Sequence, residues 1–440
     1  MPASLSVRGL QRRRFPVRND EEVILVFADW AGLDGPQLIG TLSASSQRGK
    51  ELFSFEYDQA WMESEVCRTL DPDLRWYRGR QFPASDRLLF GTFMDSAPDR
   101  WGRLLMRRRE AVLARREGRK EQLLKESDYL LGVHDAGRMG GLRFKTSADG
   151  PFLTAGEQLA IPPWKRLREL EAAARRFELN AAEPDDSPSD AGSWLELLFA
   201  PGSSLGGARP KATILDQDGS LWIAKFPSPR DTIDVGAWEM VLHELATQLG
   251  LDVPESRLER FSDYGATFLA RRFDRTADQT RVHFASAMTM LGKLDGASYS
   301  DGSSYLELVE WLRRTGTRPK ADLAELWKRM AFSIAVSNTD DHLRNHGFLF
   351  KNAGWGLAPL YDINPDPYGN GLSLNISETD NSLDFMLALQ QAPFFMLARE
   401  EATLFLARLD EALQDWESLA ERHGIPRHEI RQMGRAFRRP

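Results

Sequence analysis

Apolar and polar residues alternate at period two over Glu51-Leu-Phe-Ser-Phe-Glu-Tyr57, the mark of a strand with one buried face. Val23-Ile-Leu-Val-Phe-Ala28 and Leu38-Ile-Gly-Thr-Leu42 read as two further strands, so a small β-rich module with attached helices opens the chain. From Asp99 to Glu126 the pattern turns helical, and Trp164 to Phe177 is a second helical run. Gly137-Arg-Met-Gly-Gly-Leu142 between them reads as a turn leading into a strand. Asn180 to Ser193 is acidic and rich in breakers, and is the best linker or exposed loop in the sequence. Beyond it Lys211–Leu215 and Leu221–Phe226 read as paired strands around the turn Asp216–Gly219. A helix over Ala237–Leu249 follows, then an apolar strand at Thr267 that ends in charge at Arg275. From Ser286 onward the pattern is mostly helical, and 377–437 reads as a helical C-terminal block. In one of these helices Leu323, Leu326, Trp327, Met330, Ile334 and Ala335 share a face; a hairpin at Phe348–Leu360 comes after it.

Composition narrows the class. A chain of 440 residues can bury two or three cores, or one large two-lobed body. Hydrophobic content of 42% and charged content of 28% describe an ordinary globular protein. The net charge of −7 argues against a protein that coats nucleic acid by itself. Cys67 is the single cysteine, which excludes an intrachain disulfide and a Cys-based zinc site and fits a reducing cytoplasm. No apolar run approaches a membrane-spanning length, and residues 1 to about 20, polar and basic, read as loosely attached. Arg103, Arg107, Arg108, Arg109, Arg115, Arg116, Arg119 and Lys120 load the first helical run with positive charge. A solvated face is the plain reading; a surface for DNA phosphates or an acidic partner is the sharper one.

The densest candidate chemistry is Ser337-Asn-Thr-Asp-Asp-His-Leu-Arg-Asn-His346, a polar loop between the buried helix and the hairpin. Phosphotransfer loops of the kinase type place a base Asp and a metal-binding Asn as D-x-x-x-x-N, with a second metal-binding Asp beyond a hairpin. Asp340 and Asn345 have that spacing and Asp362 has the second place; Asp341 is one residue too close and is left to support the loop. Pro201-Gly-Ser-Ser-Leu-Gly-Gly-Ala-Arg-Pro-Lys211 has glycines that let backbone N–H groups converge on an anion, yet it matches neither the Walker nor the G-x-G-x-x-G pattern. Lys225, on the strand returning beside this loop, is placed to anchor phosphates. Glu239, assigned to the first turn of the next helix, is placed to hold its ammonium. Arg271, Arg272 and Phe273 fall where a backbone segment between two lobes reads an adenine edge. Each feature also has a plain structural reading: a capped Asn/Asp turn, a Gly turn, an edge-strand lysine.

Together these segments resemble the HipA family, the serine/threonine kinase toxins of HipBA-type toxin–antitoxin modules. The resemblance rests on Ser203-Ser-Leu-Gly-Gly-Ala-Arg-Pro-Lys211, Trp222-Ile-Ala-Lys-Phe226, Leu249-Gly-Leu-Asp-Val-Pro254, Arg272-Phe-Asp-Arg275, Asn338-Thr-Asp-Asp-His-Leu-Arg-Asn345 and Tyr361-Asp362. Gly91-Thr-Phe-Met-Asp-Ser-Ala-Pro-Asp99 is similar to part of the family's first subdomain, and the likeness runs from about 20 to 430.

It implies an α+β, two-lobed protein-kinase-like fold with an N-terminal β-rich subdomain (20–150), an ATP-binding lobe (151–275) and a helical C-terminal catalytic lobe (276–440). It implies Asp340 as general base and Asn345 and Asp362 on Mg²⁺. Lys225 would lie on the ATP phosphates, with Gly206, Gly207, Ala208, Arg209 and Lys211 in the mobile phosphate loop. Arg271 to Phe273 would form the adenine hinge, with His342, Arg344 and Tyr361 near the nucleotide. Arg344 stands where the family has lysine, which keeps the charge but not the point geometry. Further implications are autophosphorylation at Ser204, with Ser203 beside it, a protein substrate in translation such as an aminoacyl-tRNA synthetase, and a small helix-turn-helix HipB-like antitoxin through which alone DNA is bound. The alternatives are a small-molecule phosphotransferase with a kinase-like fold, a kinase-derived corepressor and a metallohydrolase; the last leaves the Gly loop, Lys225 and Glu239 without a task.

Overall fold

The computed structural model describes residues 21–47, 50–64, 66, 69–153, 161–180, 198, 209–351 and 354–440. The basic N-terminal arm, the acidic linker and the Gly-rich segment before Arg209 lie outside these residues.

The opening module is an antiparallel sheet of β1 (Glu21–Ala28), β2 (Gln37–Gln47), β3 (Lys50–Tyr57) and β4 (Leu142–Lys145), in the order β3-β2-β1-β4. Period two decides the face: Ile24, Val26 and Ala28 of β1 are buried while Val23 is exposed. The helix α1 (Arg100–Arg116) follows Asp99, whose carboxylate caps it by accepting from the Gly102 N–H at 2.7 Å. It stops ten residues short of the expected Glu126. Gly118 turns the chain at φ +61°, and Arg119 folds back onto Glu110 with a hydrogen bond of 2.9 Å.

The second sheet joins β5 (Lys211–Leu215), β6 (Leu221–Lys225), β7 (Ser256–Ser262) and β8 (Gly265–Arg271) in the order β5-β6-β8-β7, all antiparallel. Helix α2 (Leu167–Asn180) packs Leu170, Ala174 and Phe177 with Ile214, Trp222 and Leu269 of the sheet. Helix α3 (Val235–Gln248) comes so near β8 that a Cβ on Gly236 would lie 2.2 Å from the Ala266 carbonyl oxygen, so only glycine fits there.

The C-terminal part is helical but not wholly so. A three-stranded sheet, order β11-β10-β9, joins β9 (His283–Ser286), β10 (Gly347–Lys351) and β11 (Gly354–Leu357). Around it stand α4 (Tyr305–Thr315), α5 (Pro319–Ala335) and helices Phe385–Gln391, Arg399–Ala412, Trp416–Arg422 and Arg427–Met433. All six apolar residues read on one face of α5 are buried, and the Trp327 indole donates to the Ala388 carbonyl at 2.8 Å. The architecture is α+β and kinase-like, with a β-rich lobe and a helical lobe beside the N-terminal sheet.

A buried ionic cluster fixes the N-terminal module to the segment between the lobes. Asp274 pairs with Arg272 and Arg275, each at 2.6 Å, and accepts from the Gly140 N–H at 2.8 Å; Arg272 also donates to the Gly137 carbonyl at 2.7 Å. Among the described residues no helix is long and apolar enough to cross a membrane.

Candidate active site

Strand register creates the first half of the site. Lys211 of β5 and Lys225 of β6 are direct cross-strand partners, so both side chains leave the same face of the sheet. Like charges in that relation repel, and each lysine has its own acids. Lys225 Nζ lies 2.6 Å from Glu239 Oε1 and 2.6 Å from Asp362 Oδ1. Lys211 Nζ lies 3.2 Å from Asp99 Oδ2. Glu239 stands in the second turn of α3, since that helix starts at Val235, two residues earlier than its hydrophobic pattern suggested.

Burial works against the Lys225 ammonium, but Asp362 and Glu239 together raise its pKa above the ordinary lysine value. Burial likewise opposes the Asp362 carboxylate, yet Lys225, helped by Lys211, holds its carboxyl well below the usual range. Glu239 is pushed the other way by burial. The direction is clear for the trio: a charged lysine and an ionised Asp362. Beneath them His243 is driven down to about 3 by burial and by Lys225, so it stays neutral.

The second half is the loop after α5. It opens at Ser337 (φ +47°), and Asp362, past the hairpin, has φ +59°; neither is glycine. Such backbone costs about 1 kcal/mol or more and persists only where the surroundings enforce it. Here the Ser337 hydroxyl donates to the Ala436 carbonyl at 2.8 Å. Asn345 donates through Nδ2 to the Asp340 carbonyl at 2.9 Å, which fixes the loop and leaves the amide oxygen for a hard cation.

The two adjacent acids part ways. Asp340 is exposed, and its pKa is raised by partial burial and by Asp362 and Asp341, with His342 opposing. Asp341 is buried: it accepts from the Tyr305 and Ser333 hydroxyls, and His346 Nε2 stands 2.9 Å from its Oδ1. Burial alone would raise its pKa, but His346 and these hydroxyls bring it below the ordinary value.

Other residues nominated from the sequence are placed as follows. Arg209 forms a two-pronged pair with Asp231 at 2.7 and 2.6 Å. Arg344 pairs with Asp295 at 2.9 Å, and the Tyr361 hydroxyl donates to the Arg344 carbonyl at 2.8 Å. The Phe273 and Tyr361 rings lie 5.4 Å apart. The N–H groups of Arg271 and Arg272 are spent on the Glu255 and Leu221 carbonyls at 2.8 and 2.9 Å, and the Arg272 side chain belongs to the buried cluster. Of that trio Phe273 alone shows no backbone hydrogen bond of its N–H among the described residues. Gly206, Gly207, Ala208, Ser203 and Ser204 lie outside the described residues. Sequence reasoning missed Asp99 as the partner of Lys211 and Asp295 as the partner of Arg344. Only the first had a signal, its place at the end of the Gly91–Asp99 segment.

The residues suit Mg²⁺ and a nucleotide. An ionised carboxylate and an amide oxygen form the sparse hard-oxygen set that Mg²⁺ shares with phosphates, and two lysines stand beside it. Among the described residues no group of three or more His, Cys, Asp or Glu could hold a metal alone, as a metallohydrolase would require.

Comparison with known proteins agrees. The chain of Shewanella oneidensis HipA, solved with HipB and operator DNA, superposes with a TM-score of 0.56 at 17% identity, over 91% of this chain and 95% of that one, which establishes the fold. Toxin YjjJ of Escherichia coli is 25% identical over 307 residues, 68% of this chain and 62% of its own length. "Putative kinase Y4mE" of Sinorhizobium fredii is 30% identical over 182 residues, 36% of this chain and 41% of its own. The chain thus spans about two fifths to three fifths of these curated relatives. The profile of the HipA-like C-terminal domain matches residues 203–438, which include Lys211, Lys225, Asp340, Asn345 and Asp362, and with that match the chain belongs to the HipA family.

Proposed function

We propose that the chain is an ATP-dependent serine/threonine-protein kinase acting as the toxin of a HipBA-like module. The observation that carries this reading is Lys225 held at 2.6 Å by both Glu239 and Asp362, across from a loop that presents Asp340 and Asn345. A kinase needs that lysine–glutamate pair and that loop in place together.

ATP would supply the phosphoryl group, and Asn345 and Asp362 would hold Mg²⁺, which would supply charge to neutralise the phosphates. Lys225 and Lys211 orient the phosphates, and Phe273 offers a backbone N–H to the adenine edge. Asp340, exposed on the loop after α5, accepts the proton of the incoming serine hydroxyl on its carboxylate. The hydroxyl oxygen bonds to the γ-phosphorus as the bond to the bridging oxygen breaks, and ADP leaves with that electron pair. A raised pKa makes Asp340 a better base than an ordinary aspartate.

The acceptor in this reading is a serine of a translation-related protein, and Ser204 is an internal acceptor. The partner is a small HipB-like helix-turn-helix antitoxin, in keeping with the HipB and operator DNA found with the Shewanella HipA. Three parts carry the work: 20–150, 151–275 and 276–440. Incubating the chain with γ-labelled ATP and a cell extract tests the reaction class. Label recovered as protein phosphoserine is expected; label recovered only in small molecules would instead favour the phosphotransferase alternative.

A further inference from the structure

One short segment of the N-terminal module touches β9, β5 and, through Asp295, the loop after α5. The Asp95 carboxylate accepts from the Ser286 N–H and hydroxyl, each at 2.8 Å, at the end of β9. Asp99 meets Lys211 on β5, and Arg100 meets Asp295 at 3.1 Å, which also holds Arg344 of the catalytic loop. These contacts are not equal. The Arg100 and Asp295 side chains are 69% and 44% exposed, where an ion pair is worth little. The Asp99 and Lys211 side chains are 1% and 5% exposed, where the attraction between them is little screened by solvent.

Asp99 divides its carboxylate. Oδ1 caps α1 through the Gly102 N–H, and Oδ2 is turned to Lys211, with no other hydrogen-bond partner among the described residues. Lys211 is the cross-strand neighbour of Lys225 and one of the two cations acting on Asp362. Without a counter-charge of its own, its ammonium would be repelled by Lys225 across about 5 Å.

We propose that Asp99 is a positioning residue of the nucleotide site: it holds Lys211 beside Lys225 and Asp362, so the phosphate end of the cleft is completed from outside the matched domain. The inference rests on the kinase reading above. Asp99 touches neither substrate nor metal and acts only through Lys211.

The test separates the cap from the charge. Asparagine caps a helix about as well as aspartate, so Asp99→Asn keeps α1 and removes only the charge facing Lys211. Dissociation constants for Mg-ATP are measured by displacement of a fluorescent nucleotide, with kcat at saturating ATP and thermal midpoints alongside. Asp99→Asn is expected to weaken Mg-ATP about tenfold while kcat changes little, and in a Lys211→Met background it should add no further loss. Lys211→Arg, which returns a cation to the place, should recover most of the affinity lost in Lys211→Met, a comparison that holds even if Asp99→Asn folds poorly. Unchanged affinity in Asp99→Asn, an undiminished loss in the Lys211→Met background, or no difference between Lys211→Arg and Lys211→Met would overturn the proposal. A wild-type chain that fails to bind Mg-ATP would sink the kinase reading and this one with it.

Discussion

Lys225 Nζ stands 2.6 Å from Asp362 Oδ1 and 2.6 Å from Glu239 Oε1, so one ammonium serves two carboxylates that come from different lobes. Removing it leaves two like charges facing each other. Lys225→Met is expected to abolish phosphoryl transfer and to lower stability by about 3 kcal/mol, the lower end of the range for a broken buried pair because Asp362 is partly exposed. Urea midpoints with an ATP-binding assay check both. A variant as stable as the wild type that still binds Mg-ATP would show the contact to be incidental.

That relationship shows what the sequence could and could not carry. Lys225 and Glu239 were legible because a strand-borne lysine and the next helix's glutamate obey local periodicities of two and 3.6. Asp340, Asn345 and Asp362 could be nominated together because their spacing along one loop and hairpin is local. What stayed hidden was long-range. Nothing local says that Asp99 will meet Lys211, 112 positions on, or that Arg272 will be drawn into a buried cluster with the Gly137–Gly141 turn. The end of α1 was misjudged for a local reason, since charged residues continue the helical pattern past Gly118 while the backbone does not.

His342 acts on Asp340, the proposed base. Its imidazole opposes the rise in the Asp340 pKa that burial, Asp362 and Asp341 cause. Removing it lets that pKa climb further, and a group needed in its ionised form is then lost at higher pH. His342→Gln should therefore move the acid limb of the kcat/KM–pH profile upward relative to wild type. An acid limb that stays put or moves down would exclude the coupling.

Asp274 holds Arg272 and Arg275 and the Gly140 N–H in a site with almost no exposure. Burial opposes its charge, but the two arginines hold its carboxyl well below the ordinary range. A depressed carboxyl stabilises the fold above the unfolded pKa and stops doing so as the pH falls through the folded value. Asp274→Ala should thus cost about 3–5 kcal/mol at neutral pH by stranding two buried cations. Chemical denaturation of the variant gives the number; a cost below about 1 kcal/mol would mean that the cluster relaxes without its acid.

Ser204 tests self-control. A phosphoserine there adds about −1.5 to −2 charge to a loop that, on the kinase reading, would collect the phosphates of ATP. Incubation with Mg-ATP should give one main phosphosite, at Ser204, with activity falling as the label rises, and Ser204→Ala should lose the mark. Equal labelling of the variant, or full activity of the labelled wild type, contradicts this.

The central claim is that Asp340, and not its buried neighbour, takes the proton of the acceptor hydroxyl. Asp340 is exposed, whereas Asp341 is enclosed by Tyr305, Ser333 and His346. The most direct measurement is transfer from γ-labelled ATP to protein by Asp340→Asn and Asp341→Asn, with Mg-ATP affinity measured for each. Asp340→Asn should lose transfer while binding Mg-ATP nearly as the wild type does. Asp341→Asn should unfold more readily yet keep measurable transfer below its melting temperature. Transfer retained in Asp340→Asn and lost in a folded Asp341→Asn would contradict the account.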